Sequence, residues 1–237
     1  MLPEFSLVIP AFNEADRIGK TLRESLRYLE TTSPGSELIV VNDGSTDATS
    51  EVVHEVFAER SSVATRLLEH FPNRGKGAAV REGLLAARKS IGLFSDADLS
   101  TPIEEAPKLI EPIAAGELDV AFGSRALDRS LIGHRQPWRR EQGGRVFNLI
   151  VRLATGLPFW DTQCGFKAFR LDVFRPILQA AKTEGFGFDV ELLYLARQAN
   201  LRMKEIPVRW NHNEGSKVSF LRDSVRMLRE ISALRKT

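Results

Sequence analysis

Two aspartates one residue apart, Asp96-Ala97-Asp98, follow the apolar run Ile91-Gly92-Leu93-Phe94-Ser95 and precede Thr101-Pro102, where a helical pattern opens. Carboxylates at the tip of a buried strand are costly unless they are paired or bound to a cation. A hard divalent ion answers both charges with oxygen ligands and leaves positions for substrate phosphates. Asp-x-Asp is also a common solvated loop and helix-capping sequence, so the pair alone leaves both readings open.

Three further clusters carry comparable chemistry. Asn42-Asp43-Gly44-Ser45-Thr46-Asp47 joins an acid, a flexible glycine and hydroxyls. Asp43-Gly44 is a turn pair and Ser45 or Asp47 can cap a helix, while Asp43 can also accept hydrogen bonds from a nucleobase edge. Asn73-Arg74-Gly75-Lys76-Gly77 is a basic, glycine-rich helix entrance able to approach an anion through backbone N–H groups. It lacks the Gly-Lys-Ser/Thr of a Walker loop, and no Gly-x-Gly-x-x-Gly follows the first strand, which disfavours a dinucleotide fold. Asp189, with Glu191 beside it, opens another helical pattern as either its cap or a general base.

Residues 5–9, 37–41, 65–69, 91–95 and 118–122 read as strands, separated by helical patterns at 14–29, 47–57, 77–89 and 102–115. That alternation predicts an α/β fold with a doubly wound, mostly parallel central sheet, right-handed crossovers and flanking helices. Ligands in such sheets bind beyond the carboxyl ends of the strands. Pro10-Ala11-Phe12-Asn13-Glu14, Asn42-Asp43-Gly44-Ser45, Ser95-Asp96-Ala97-Asp98 and Gly123-Ser124-Arg125 all fall at those ends, so four polar clusters converge on one edge. The second half is less regular, with helices expected at 142–153, 188–198 and 220–234 and strands at 165–170 and 202–210. No repeat or long linker interrupts the chain, and residues 1–237 are expected to form a single domain.

Among the 237 residues, 43% are hydrophobic and 27% charged, ordinary for a globular protein able to bury a sizeable core. No apolar run approaches a membrane span, and residues 1–30 turn amphipathic and charged too early for a secretory signal. The single cysteine, Cys164, fits a reducing cytoplasm. The net charge of +2 hides an asymmetry: residues 1–123 carry 12 Lys/Arg against 20 Asp/Glu, whereas 124–152 carry 7 against 2 and 201–237 carry 9 against 4. The acidic first half gives no support to nucleic-acid binding. The two basic segments suit an anion met locally, a phosphate or an acidic membrane surface, although solvation alone would also explain either one.

Taken in order, Val8 to Glu14, Val41 to Asp47, Asn73 to Gly77, Asp96-Ala97-Asp98 and Gly123-Ser124-Arg125 resemble the motifs of family 2 glycosyltransferases of the GT-A fold. The resemblance continues through Asp161-Thr162-Gln163-Cys164-Gly165-Phe166-Lys167, Phe188-Asp189-Val190-Glu191 and Trp210 to Ser219. Ser100-Thr101-Pro102, the Thr-Gln-Cys-Gly-Phe-Lys run and Gly-Ser-Lys-Val-Ser point within that family to polyprenyl-phosphate enzymes, above all the dolichyl-phosphate glucosyltransferase type.

The resemblance implies a nucleotide-sugar donor, UDP-glucose, held by residues 1–123, and a polyprenyl-phosphate acceptor held by 124–237. Pro10, Ala11, Asn13, Glu14 and Asp43 would contact base and ribose, and Lys76 would contact the donor or serve helix entry. Asp96 and Asp98 would bind Mg2+ or Mn2+ at the diphosphate, with Ser100 a weaker ligand than the glutamine of some relatives. Arg125 would face the anionic groups at the reaction centre, and Arg139 or Arg140 with Lys217 would hold the acceptor phosphate. Arg139 and Arg140 fit a solvated face equally well, and the Glu141 that follows replaces a serine found in relatives. Asp189 would be the base for a hydroxyl acceptor, or would orient the sugar for a phosphate acceptor. Cys164 is expected to be a packed thiol, and His212 to be structural or to line the site.

Phe220, Leu221, Val225, Leu228, Ile231 and Leu234, flanked by arginines, form one amphipathic pattern, and Phe147, Leu149, Ile150 and Leu153 a second. Either can lie peripherally on the inner face of an anionic membrane or pack on the domain. Transfer to a soluble or glycan hydroxyl, and a non-catalytic nucleotide-sugar or lipid-surface binding module, are the alternative functions. A sugar nucleotidyltransferase is disfavoured by the missing Gly-x-Gly-Thr-Arg loop.

Overall fold

The computed structural model describes residues 1–134 and 138–212 together with residues 227 and 230; the side chains of residues 138–141 and 145 fall outside that description. Among the described residues, β1 (Ser6–Ala11), β2 (Glu37–Asn42), β3 (Ala64–Glu69), β4 (Ile91–Ser95), β5 (Val120–Ser124), β6 (Phe166–Arg170) and β7 (Met203–Pro207) form one sheet. Their order is β3-β2-β1-β4-β6-β5-β7. Every neighbouring pair is parallel except those made by β6, which runs antiparallel to both β4 and β5. The helices are α1 (Ala15–Thr32), α2 (Thr49–Ala58), α3 (Lys76–Ala86), α4 (Ala106–Ala114), α5 (Trp138–Thr155), α6 (Leu171–Ala180) and α7 (Phe188–Gln198).

Alternation along the strands divides the core into two layers. Leu7 and Ile9 of β1 pack with Ile18 and Leu22 of α1, Val53 of α2 and Leu109 of α4. Val8, between them, joins Val80 of α3, Phe174 of α6 and Leu193 of α7 on the opposite face. Burying each such side chain contributes about 1.5–3 kcal/mol. On α1, Ile18, Leu22, Leu26 and Leu29 recur at helical spacing and are buried against the sheet. The helix stops where the Ser33 N–H reaches the Leu29 carbonyl at 2.9 Å, just before Pro34.

The doubly wound, mostly parallel sheet expected from the alternation is present, with differences of detail. The helix expected at 102–115 begins as a separate 3-10 turn, Ile103–Glu105. The pattern at 77–89 stops at Ala86, because Ala87 turns extended and the Arg88 N–H donates to Glu37 Oε1 at 2.6 Å. Helix α6 was not expected; its interior Pro176 cannot donate an intrahelical hydrogen bond and so argues against a helix there. The helix expected at 220–234 lies outside the described residues apart from Met227, which is buried, and Glu230. No helix among the described residues is long and apolar enough to cross a membrane.

Candidate active site

β1, β2, β4 and β5 point the same way, so their carboxyl ends share one edge. The reversed β6 delivers its amino end there, and with it the segment 161–165. At the end of β1, Pro10 and Ala11 are buried within the strand and Asn13 turns the chain in the left-handed region, at φ 55°. The Asn13 N–H donates to Ser45 Oγ at 2.8 Å and its Oδ1 accepts from the Thr46 N–H at 2.7 Å, lashing the first two loops together. The Glu14 N–H donates to Thr49 Oγ1 at 2.7 Å, and the Glu14 carboxylate pairs with Arg17.

Asp43 is buried and its carboxylate takes four partners. His70 Nδ1 lies 2.7 Å and the Arg74 N–H 3.0 Å from Oδ1, with Asn73 Nδ2 at 2.8 Å and the Gly75 N–H at 2.7 Å from Oδ2. A carboxylate offers about four lone-pair directions, so a nucleobase contact would require one of these bonds to yield. What Asp43 visibly does is shape the 73–75 turn. His70, for which no role was expected, bridges Asp43 to Glu82 of α3, with Nε2 2.6 Å from Oε2.

The backbone N–H groups at the start of α3 meet protein carbonyls instead of an open anion site. The Gly77 N–H donates to the Glu184 carbonyl at 2.8 Å. A Cβ on Gly75, at φ 112°, would lie 2.4 Å from that same carbonyl oxygen, and one on Gly77 would lie 2.5 Å from the oxygen of Thr183. The two glycines therefore let the 183–188 segment cross the helix entrance. Glu191 pins this segment, accepting from the N–H groups of Lys182 at 3.0 Å and Thr183 at 2.7 Å, and the Gly187 N–H donates to Glu230 at 3.0 Å.

That crossing brings Lys76 and Asp189 together beside the strand-tip acids. Lys76 Nζ lies 2.5 Å from Asp96 Oδ1. Burial opposes the Lys76 charge, but Asp96, Asp189 and Asp98 outweigh it and hold the ammonium above its ordinary range. Asp189 is buried and lies 2.7 Å from Lys167 Nζ; burial pushes its carboxyl up, against the pull of Lys167 and Lys76. Asp98 Oδ1 accepts from the Ser100 N–H at 2.9 Å. A Cβ on Gly165 would sit 2.1 Å from Asp96 Oδ2, so only glycine lets that carboxylate lie over the 161–165 segment.

Arg125, just past β5, is clamped by Asp161. Its backbone N–H donates at 2.9 Å and its Nε at 2.7 Å to Oδ2, while a terminal nitrogen donates to Oδ1 at 2.7 Å. Burial opposes the charge on both groups, yet their pairing raises the guanidinium and holds the Asp161 carboxyl below its usual range. Glu205 of β7 fixes the clamp, accepting from the Asp161 N–H at 2.7 Å and Ser124 Oγ at 2.6 Å. Burial pushes the Cys164 thiol up to about 12, as suits a packed side chain and not a nucleophile. His212 stacks on Trp210, their ring centroids 5.9 Å apart. Arg139 and Arg140 belong to α5, but their side chains, and the whole of Lys217, lie outside the described residues.

Asp161, Glu205 and Lys167 received no site role from the sequence. Lys167 did leave a signal: a charge in the otherwise apolar strand Phe166-Lys167-Ala168-Phe169 needs a buried partner. Among the described residues no group of three or more His, Cys, Asp or Glu could hold a metal ion. The edge thus offers two acids at a strand tip, two lysines and a third acid beside them, and a clamped arginine. This arrangement suits a substrate rich in phosphate that brings its own oxygen ligands.

Residues 6–178 match the model of the family described as glycosyl transferase family 2. The chain is 40% identical over 227 residues to the dolichyl-phosphate beta-glucosyltransferase of Drosophila melanogaster, covering 91% of this chain and 69% of that protein. With the Saccharomyces cerevisiae protein of the same description it shares 33% identity over 252 residues, 97% of this chain and 73% of the other. Among solved structures, glucosyl-3-phosphoglycerate synthase from Mycobacterium tuberculosis superposes with a TM-score of 0.68 at 20% identity, covering 97% of this chain and 80% of that one. This likeness identifies the fold as GT-A.

Proposed function

The chain belongs to glycosyl transferase family 2, and from that premise we propose that it moves glucose from UDP-glucose to a polyprenyl phosphate, inverting the anomeric carbon. The gathering of Asp96, Lys76, Asp189 and Arg125 on one sheet edge carries this reading, in a chain 40% identical to a dolichyl-phosphate beta-glucosyltransferase. Residues 1–123 bind the donor and 124–237 the acceptor. The 10–14 and 42–46 turns, tied together through Asn13, form the floor for base and ribose. Asp43 supports that floor from beneath through the 73–75 turn.

The residues fit a divalent cation. Asp96 already draws a positive group, the Lys76 ammonium at 2.5 Å. Two carboxylates alone leave coordination positions for diphosphate oxygens. Asp96 and Asp98 would hold Mg2+ or Mn2+, whose chemistry is to neutralise the departing nucleoside diphosphate. Lys76 places a second positive charge beside the same group. Arg125, held rigid by Asp161, faces the anions at the reaction centre, with Arg139, Arg140 and Lys217 completing the acceptor-phosphate site. A phosphomonoester has its second pKa near about 6, so the acceptor oxygen attacks without a base and Asp189 orients the sugar.

The surface beside Arg125 favours a lipid-borne phosphate over a soluble hydroxyl. Val146, Leu149, Ile150 and Leu153 of α5 are 59%, 54%, 40% and 72% exposed, while Phe147 and Val151 of the same helix turn into the core. Thr162 Oγ1 donates to Asn148 Oδ1 at 3.1 Å, tying α5 to the residue after Asp161. Exposed Trp160, one residue before Asp161, lies under Arg152, whose guanidinium is 3.9 Å from the ring centroid. An apolar stripe with an aromatic and basic rim suits peripheral contact with an anionic bilayer.

A radiolabel panel of UDP- and GDP-sugars, offered with a short prenyl phosphate or a simple sugar and with or without Mg2+ or Mn2+, tests the reading. Cation-dependent transfer from UDP-glucose to the prenyl phosphate is expected. Transfer only to the hydroxyl acceptor would overturn it and would make Asp189 the base.

A further inference from the structure

We propose that Lys167 is a positioning residue, whose ammonium holds the Asp189 carboxylate in place from inside the sheet. The proposal rests on the reading of Asp189 as a substrate-facing group. Lys167 lies mid-strand on β6, in register with Phe94 of β4 and Phe122 of β5, and is 0% exposed. Its Nζ sits 5.4 Å and 6.0 Å from the centroids of those two rings. The same layer of the sheet is otherwise filled by side chains such as Phe94, Phe122 and Phe169, so an apolar residue would satisfy packing there.

An ammonium in such a place is stable only where polar partners replace water. Lys167 has two, the Cys164 carbonyl and, at 2.7 Å, Asp189 Oδ1. Both serve the site edge, since Cys164 precedes the glycine beneath Asp96. Lys76 and Lys167 also divide the work. The Lys76 side chain is 24% exposed and can meet a substrate, whereas the fully enclosed Lys167 can act only through its protein partners, of which Asp189 is the charged one in contact. Both lysines pull the Asp189 carboxyl down against its burial and the nearby Asp96, which push it up.

The test compares Lys167→Met, Asp189→Asn and the double variant by thermal melting and by transfer kinetics with UDP-glucose and a short prenyl phosphate. Lys167→Met should lower kcat by at least about tenfold while the donor KM moves less than about threefold. It should also lower Tm, by leaving the Asp189 charge buried without its closest partner. In the Asp189→Asn background, Lys167→Met should cost no further activity and little further Tm. A Lys167→Met chain that does not fold, beside a double variant that does, supports the same coupling. Independent losses that multiply in the double variant, or a double variant that does not fold, would overturn the proposal, since Lys167 would then serve the sheet alone. Full activity in Asp189→Asn would instead sink the role given to Asp189 above, while the Tm comparison would still report on the Lys167–Asp189 pair.

Discussion

Along the site edge, Asp43 and Asp47 of the first half take main-chain donors, whereas Asp161 and Asp189 of the second half face cationic side chains. Asp43 takes the N–H groups of Arg74 and Gly75, and Asp47 those of Ala15 and Thr49. Asp161 is instead held by Arg125, and Asp189 by Lys167. Main-chain donors carry no formal charge, so losing an acid that they hold strands none. In the second half, removing one partner strands an opposite charge away from water. The same edge is therefore tolerant on one side and brittle on the other.

The strand-tip acids should break this pattern most sharply, because the role proposed for them is chemical. Asp98→Ala should reduce nucleoside diphosphate release by about a thousandfold while calorimetric binding of UDP-glucose and the melting temperature largely persist. A fold lost together with activity would show that Asp98 is part of the scaffold.

Next in size is the contrast itself. Asp161→Asn should cost about 3–5 kcal/mol in urea unfolding, the usual penalty for breaking a buried ion pair. Asp43→Asn, which meets main-chain donors and keeps one acceptor oxygen, should cost about 1–3 kcal/mol. Equal costs would erase the distinction.

Acid titration sharpens it further. The folded-state values of Asp161 and Asp119 lie below the ordinary 3.8, Asp161 through Arg125 against opposing burial and Asp119 chiefly through its bonds to Arg202. Their stabilisation is complete above a pH of about 5 and is lost as pH falls through the folded values. Asp189 has the opposite sign, since burial raises its folded value above 3.8, so its contribution declines as pH rises. Urea midpoints between about pH 3 and 7 should fall on the acid side, and Asp161→Asn should flatten that fall.

The smallest effect on the fold should come from Leu153→Glu or Leu149→Glu, within about 0.5 kcal/mol because both side chains are exposed. Flotation with anionic vesicles should nevertheless weaken. Unchanged flotation at low salt would rule out the membrane contact proposed for α5.

The strand tips were legible in the sequence because each acid or turn glycine directly follows an apolar run, a local signal of strand end and loop. The partners of the second half were not. Arg125 and Asp161 are 36 residues apart, and nothing local joins them. Asp189 and Lys167 meet only because the 183–188 segment crosses α3, a contact that depends on where two glycines let the main chain approach. Asp43 shows the converse limit: its position was readable, but the four partners that use its oxygens come from residues 70–75 folding back. Strand order was hidden for the same reason, since the antiparallel insertion of β6 leaves no local trace; α6 does carry a helical period in Leu171, Phe174, Ile177 and Leu178, but its interior proline argues against it.

That insertion bears on how the chain must be made. As it emerges from the ribosome, β1 to β4 can assemble side by side, but β5 has no partner to join until residues 166–170 arrive to lie between it and β4. Until then the β4 ladder is open to any passing strand. A nascent chain halted before residue 166 would therefore be a customer for chaperones, and release past residue 170 would close that vulnerable side.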